Sequence, residues 1–160
     1  MTAIDDDGLG TWEPFETFHN VPMVYQYDNT SCWAAGIAML ANTDLDSVLG
    51  EWRDRRMRWE DIEPIAKSWG VNEIYPACGL PIYWVTELDN HGPIWIVIKQ
   101  GGGTVSHAVV FYGIASDGTG PGTICYYNDP ITGPSQLPYE EFERVFEVGA
   151  VARANLFSRY

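Results

Sequence analysis

Residues Gln26 to Ala41 read QYDNTSCWAAGIAMLA, and the way this stretch is read decides the fold. From Ser31 to Ala41 only Ser31 is polar. Cys32, Ala35, Gly36, Met39 and Leu40 recur at the spacing of one helix face. Trp33 and Ile37 fall elsewhere on the same helix, so it is apolar nearly all round and is expected to be central and buried. Thr30 or Ser31 is placed to cap its start, and Asn42-Thr43-Asp44 ends it. A cysteine therefore sits where a polar loop enters a core helix, with a glutamine six residues before it. A buried structural thiol explains the helix, since free cysteine is among the most buried residue types. It does not explain Gln26. A nucleophile at a helix N-terminus, where backbone N–H groups favour a thiolate, explains both.

Outward from this helix, the first half of the chain reads as helical. TDLDSVLGEWRDRRM (43–57) predicts a short helix after a capping Thr or Asp, followed by a basic turn. RWEDIEPIAKSWG (58–70) predicts a second helix, closed by Gly70 and with Pro64 near its first turn. VNEIYPA (71–77) is a short strand and LPIYWVTELDNHG (80–92) a further helix. The second half changes character. PIWIVIK (93–99), HAVVFYGI (107–114) and TICYY (123–127) are apolar runs rich in branched and aromatic residues, separated by glycine-rich turns, as buried strands are. LPYEEFERVF (137–146) predicts a brief amphipathic helix and VGAVARANLF (148–157) a closing strand. Residues 1–20 are acidic and read as an extended lead-in. The expected domain is residues 21–160, an α+β unit with the central helix packed on an antiparallel sheet.

Bulk properties remove several classes of function. The 160 residues suffice for one domain with a real core, and 46% of them are apolar, a globular composition. A net charge of −13 opposes phosphate backbones, so nucleic acid is not expected as a partner. Four of the nine cations (Arg53, Arg55, Arg56 and Arg58) cluster in RDRRMR, which reads as a solvated face before it reads as a docking patch. No apolar run reaches the roughly 20 residues that span a bilayer, so membrane insertion is not expected either. The N-terminus lacks the basic start and apolar middle of a signal peptide. The protein is therefore expected to be cytoplasmic as made, to leave by another route, or to be cut from a longer chain. Three cysteines are too few for a disulfide framework. Cys78 and Cys125 are left to pair or stay free, and free is the expected state because TICYY reads as a buried strand. No cluster has metal-ligand spacing, so no metal or other cofactor is expected. QGGGT (100–104) lacks the Lys-Ser/Thr of a phosphate loop and reads as a hairpin connection.

A nucleophilic Cys32 needs a histidine brought to it by the fold. Of His19, His91 and His107, the last opens a strand after a flexible glycine run and can stand at the sheet edge facing the helix tip. His91 reads as a helix-end residue and His19 as a loop residue. The next strand ends in YYNDP, which offers Asn128 or Asp129 to orient the imidazole.

Taken together, QYDNTSCW, SHAVVFYGI and YYNDP resemble papain-like cysteine peptidases. Within that clan the chain is similar to a compact bacterial branch, which includes bacteriocin-exporter peptidase domains and secreted avirulence proteases of plant pathogens. The motifs VPMVYQ, CWAA, GPIWIV, HAVVFYGI, DGT and NDP follow in that branch's order from Val21 to Pro130. The chain lacks the Cys-Gly that precedes the nucleophile in plant and lysosomal papains. The resemblance implies a papain-like fold, Cys32 as nucleophile, His107 as general base and acid, and Asp129 as the group orienting His107, with Asn128 as its rival. It also implies that Gln26 and the backbone N–H of Cys32 hold the oxyanion.

The expected activity is hydrolysis of peptide bonds in a protein substrate through a thioester acyl-enzyme. The resemblance further implies an effector or toxin module delivered by a specialised secretion system and restrained by a cognate inhibitor. Two alternatives use the same residues differently. A deamidase, transamidase or cell-wall amidase forms the same thioester, and an inactive pseudo-peptidase binds a partner in the cleft. Trp12, Trp84, Tyr112 and Tyr127 are the sequence-level candidates for a specificity wall.

Overall fold

The computed structural model describes residues 12–53, 55, 57–74, 81–100, 105–150 and 156–158. Strand β1 (Phe15–Phe18) comes first, then α1 (Cys32–Ala41), α2 (Leu45–Leu49), a 3₁₀ turn (Gly50–Trp52) and α3 (Trp59–Ser68). Strand β2 (Asn72–Ile74) and helix α4 (Pro81–His91) lead into β3 (Ile94–Gln100), β4 (Val105–Ser116), β5 (Thr123–Asp129) and β6 (Gly133–Pro138). Helix α5 (Tyr139–Ala150) and β7 (Leu156–Ser158) follow.

The local causes are legible at several termini. Asp44 caps α2 by accepting the Ser47 N–H at 2.7 Å. Asn42 ends α1 in the left-handed region at φ 56°, a conformation asparagine tolerates better than most residues. Ser31 occupies the N-cap position of α1, but its side chain makes no capping bond. The polar side chain that organises this turn is Asp28, whose Oδ1 accepts from Thr30 N at 2.9 Å and from Thr30 Oγ1 at 3.2 Å. Pro64 lies inside α3, beyond its first turn.

The strands form one antiparallel sheet in the order β2-β7-β3-β4-β5-β6, with β1 pairing β4. Residues 15–18, within the expected lead-in, thus belong to the sheet, with Phe15 opposite Ser116 and Phe18 opposite Gly113. Strand β6 was not expected, because GPSQLP carries a glycine and two prolines. It is an edge strand, the position where prolines are compatible with a ladder. The closing strand is shorter than expected, since Val148–Ala150 belong to α5. Gln100 pairs with Val105, which makes the QGGGT segment a hairpin connection; its glycines and threonine lie outside the described residues.

The side-chain alternation of β3 and β4 divides the interior into two layers. Trp95, Ala108 and Val110 face α1, α2 and α3. Ile94, Ile96, Ile98, Val109 and Phe111 face the other way and pack with Trp84 and Leu88 of α4 and Phe142 of α5. Trp84 meets Phe111 and Phe142 edge-on, at centroid separations of 5.4 and 5.5 Å. Helix α1 is buried from Trp33 to Leu40, as its all-round apolar sequence requires.

Candidate active site

Cys32 is the first residue of α1 and is half-buried, whereas Ser31 and the eight residues after Cys32 are buried. Its helical turn is fastened to the sheet. The indole N–H of Trp95 on β3 donates to the Trp33 carbonyl at 3.1 Å, inside the core. The backbone that carries the thiol therefore has little freedom to shift.

His107 lies near the start of β4 and is only 4% exposed. Its Nε2 donates to Asp129 Oδ1 at 2.8 Å, and the Cys32 thiol interacts with the same ring. With Nε2 committed to the carboxylate, Nδ1 is the nitrogen left for Cys32. Asp129 Oδ1 also accepts the N–H of Ile131 at 2.8 Å and of Thr132 at 3.4 Å, so its orientation is fixed by the turn that follows β5.

The strand register separates Asp129 from its rival. Val110 pairs with Asn128, which sets Val109 opposite Asp129 and puts His107 and Asp129 on the same face, one diagonal apart. Asn128 points to the opposite face, and its Nδ2 donates to the Val21 carbonyl at 3.3 Å. The structure brings together Cys32, His107 and Asp129, and gives Asn128 a place in the adjoining loop.

Burial works against a charge on His107. The hydrogen bond to Asp129 and the interaction with Cys32 outweigh it and raise the imidazole from 6.5 to about 9. Burial likewise disfavours the Asp129 carboxylate, yet the bonds from His107, Ile131 and Thr132 hold it below its ordinary 3.8. The linkage has a definite sign. A raised histidine stabilises the fold in full below 6.5, and that contribution is lost as pH rises through about 9. A depressed carboxylate stabilises above 3.8 and is lost as pH falls through its lowered value. Thermal stability relative to a His107→Gln variant is therefore expected to be flat through mildly acidic pH and to fall as the pH approaches 9. A calorimetric pH series on both proteins checks this; a wild-type advantage that grows from pH 7 to 10 contradicts it.

Gln26 is joined to the same turn by its main chain, its N–H donating to the Pro130 carbonyl at 3.0 Å. Its Nε2 donates to the Asp28 carbonyl at 2.6 Å, which engages one of the two amide hydrogens. Sequence reasoning did not single out Asp28. Its signal was the Asp-x-Thr pattern of an Asx turn, and it shapes the loop between Gln26 and Cys32.

The remaining candidates lie elsewhere. The His19 ring Nε2 donates to the Leu88 carbonyl at 2.8 Å, and His91 ends α4 with its Nε2 3.4 Å from Glu87. Cys125 is a free, buried thiol that burial pushes to a higher pKa, and Cys78 lies outside the described residues. Trp84 and Tyr127 belong to the buried core and do not form a cleft wall. The Trp12 indole donates to Ser116 at the far end of β4, nine residues and roughly 30 Å from His107. Tyr112 packs beside Tyr126 at 6.4 Å. Within the arginine cluster, Arg53 pairs with Asp46 at 2.7 Å and bonds the Tyr27 hydroxyl, Arg55 lies over Trp52, and Arg58 pairs with Asp61 at 3.4 Å. Arg56 lies outside the described residues. Exposed pairs of this kind contribute little to stability.

A thiol at the tip of a buried helix, facing a carboxylate-bound imidazole on an antiparallel sheet, defines a papain-like thiol hydrolase. The family described as papain-like cysteine protease AvrRpt2 matches residues 16–145, and the chain belongs to that family. It is a cysteine peptidase. A solved structure of a double glycine motif protease from an AMS/PCAT transporter, in complex with the leader peptide, is similar at a TM-score of 0.55. The two share 22% identity over 88% of this chain and 91% of that one, a likeness of fold. No curated protein matches the chain. No helix among the described residues is long and apolar enough to cross a membrane.

Proposed function

We propose that this peptidase is an endopeptidase that cuts a protein target with Cys32, His107 and Asp129, with Gln26 in the oxyanion hole. The observation that carries the reading is the buried 2.8 Å bond between His107 and Asp129, with Cys32 against the same ring. With its pKa raised to about 9, His107 already holds the proton taken from the thiol at neutral pH, and Cys32 Sγ attacks the scissile carbonyl carbon as a thiolate. The carbonyl oxygen becomes an oxyanion, held by the Cys32 N–H and the second Gln26 amide hydrogen. As the tetrahedral intermediate collapses, the imidazolium delivers its proton to the leaving amine and a thioester remains on Cys32. The same ring then deprotonates the water that releases the acid product. Asp129 holds the imidazole in the tautomer these transfers need and stabilises its charged form.

The comparisons also support a biological setting. A leader peptide occupies the transporter protease of similar fold, and a polypeptide substrate is the corresponding expectation here. The family match supports an effector or toxin delivered from a bacterium, and in that role the producing cell would need a cognate inhibitor. Deamidation or amide transfer by the same thioester is the second reading, since triad geometry distinguishes neither the amide attacked nor the nucleophile that accepts the acyl group. Comparison of protein N-termini in bacterial and eukaryotic lysates, treated with wild type or Cys32→Ala, tests the choice. New N-termini only with wild type support the endopeptidase. Gln-to-Glu conversion without new termini supports the deamidase.

Two substitutions give graded outcomes. Gln26→Ala is expected to lower kcat by about 10²–10³ while leaving measurable turnover, the cost of one oxyanion donor. Unchanged kcat removes Gln26 from the oxyanion hole. Asp129→Ala is expected to reduce kcat/KM by about 10²-fold or more, and Asn128→Ala by well under that, because only Asp129 touches the imidazole. The reverse order in side-by-side kinetics reassigns the third member to Asn128.

A further inference from the structure

The cavity that stands apart from the triad opens at the other end of α1. It has a volume of about 690 Å³, within the range of small-ligand sites. Met39, Leu40 and Asn42, at the end of α1, form one wall. Asn42 is ten residues from Cys32, about 15 Å along the helix. The wall opposite comes from Asp89, Asn90 and Gly92 at the end of α4, and residues 19–22 with Pro93 complete the lining.

The chemistry of these walls selects for positive charge. Two helices end at the cavity, and a helix C-terminus carries partial negative charge. A basic residue in the last turn usually offsets it, but α1 has none. In α4 the last-turn residue is His91, which turns to Glu87 and does not line the cavity. The lining His19 already gives its ring N–H to the Leu88 carbonyl, so the end of α1 and Asp89 carry the negative potential. Asp89 adds a full negative charge. It accepts a hydrogen bond from Thr17 Oγ1 at 3.0 Å, and no lysine or arginine is among the lining residues. Asn20, Asn42 and Asn90 contribute amide oxygens, while Val21, Pro22, Met39, Leu40 and Pro93 supply apolar surface. Acceptors at the rim and hydrocarbon along the walls match a guanidinium on an aliphatic stem.

We propose that this cavity is a second binding site that takes an arginine side chain of a polypeptide partner. It has a mechanical route to the catalytic centre. The segment that lines it is held by the His19 N–H to the Tyr112 carbonyl at 2.9 Å and by the Val21 carbonyl to Asn128 at 3.3 Å. Asn128 adjoins Asp129, and the chain runs from Pro22 to Gln26 in four residues. An occupant presses on the segment that leads into the oxyanion loop.

The test is independent of turnover. N-acetyl-arginine methylamide is titrated into the full chain carrying Cys32→Ala and followed by amide NMR, with N-acetyl-norleucine methylamide as the uncharged control. The expected result is saturable shifts at Asn20, Leu40, Asn42, Asp89 and Asn90, with the control binding at least about tenfold more weakly, as loss of a charge-assisted bond predicts. Asp89→Asn, which retains an acceptor for Thr17, is expected to weaken the arginine probe by a similar factor while the melting temperature stays within about 2 °C, as for other surface changes. Three results overturn the proposal: no saturation, equal binding of the two probes, or shifts confined to the surroundings of His107. A chain that binds the arginine probe here yet cuts no protein loses the endopeptidase reading and keeps this site.

Discussion

Cys32→Ala is expected to lower kcat/KM by about 10⁴-fold or more, with His107→Ala falling to the same floor. The two losses are not additive, because thiol and imidazole act as one unit. Without the thiol there is no acyl-enzyme, and without the imidazole neither the nucleophile nor the leaving amine is served. The double variant is therefore expected to be no slower than either single one. Both substitutions remove atoms from a pre-formed site without inserting new ones. The Trp95–Trp33 bond that fixes the first turn of α1 does not involve them. A Cys32→Ala protein that folds normally and still turns over substrate at more than about a hundredth of the wild-type rate contradicts the mechanism. Labelling separates the two roles further. Wild-type Cys32 is expected to react with iodoacetamide faster than glutathione does near neutral pH, and this advantage is expected to vanish in His107→Ala.

Gly36→Ala is expected to have the largest effect on stability. A Cβ built on Gly36 stands 2.6 Å from Trp95 Nε1 and closer still to Cδ1 of the same ring. The indole is 1% exposed, so it has no open space to move into, and it is tethered to the Trp33 carbonyl. Overpacking of this kind costs about 1–3 kcal/mol, and losing the indole bond adds about 1 kcal/mol. At this chain length the melting temperature is expected to fall by roughly 5–12 °C, as calorimetry or circular dichroism reads directly. The same displacement moves the turn bearing Cys32, so kcat is expected to fall even at temperatures where the variant is folded. A melting temperature within about 1 °C of wild type would mean that Trp95 swings aside at no cost.

The helix from Cys32 and the hydrophobic strands were legible because each rests on local pattern, whereas the meeting of Cys32 with His107 depends on the fold that brings them together. An all-apolar helix is recognisable from its own residues, and a Cys at its start with Gln six places before is a strong coincidence. The choice between Asn128 and Asp129 was not legible in the same way. It depends on the register of β5 against β4, and a shift of one residue sends every side chain to the opposite face. Strand β6 escaped notice because Gly133, Pro134 and Pro138 argue against a strand wherever both edges are paired. The role of Phe15–Phe18 was hidden for another reason: four residues of alternating exposure carry little signal until a partner strand is known. The cavity at the end of α1 was invisible, since it is assembled from three separate segments.

Strand β6 also bears on how the molecule behaves in a crowd. It closes one border of the sheet, and prolines at 134 and 138 withdraw two of its six backbone donors. The opposite border is β2, only three residues long. Among the described residues, a neighbouring copy finds no long, regular row of free amides along β6 or β2 to extend into a fibril. The prolines that obscured this strand are a guard against polymerisation.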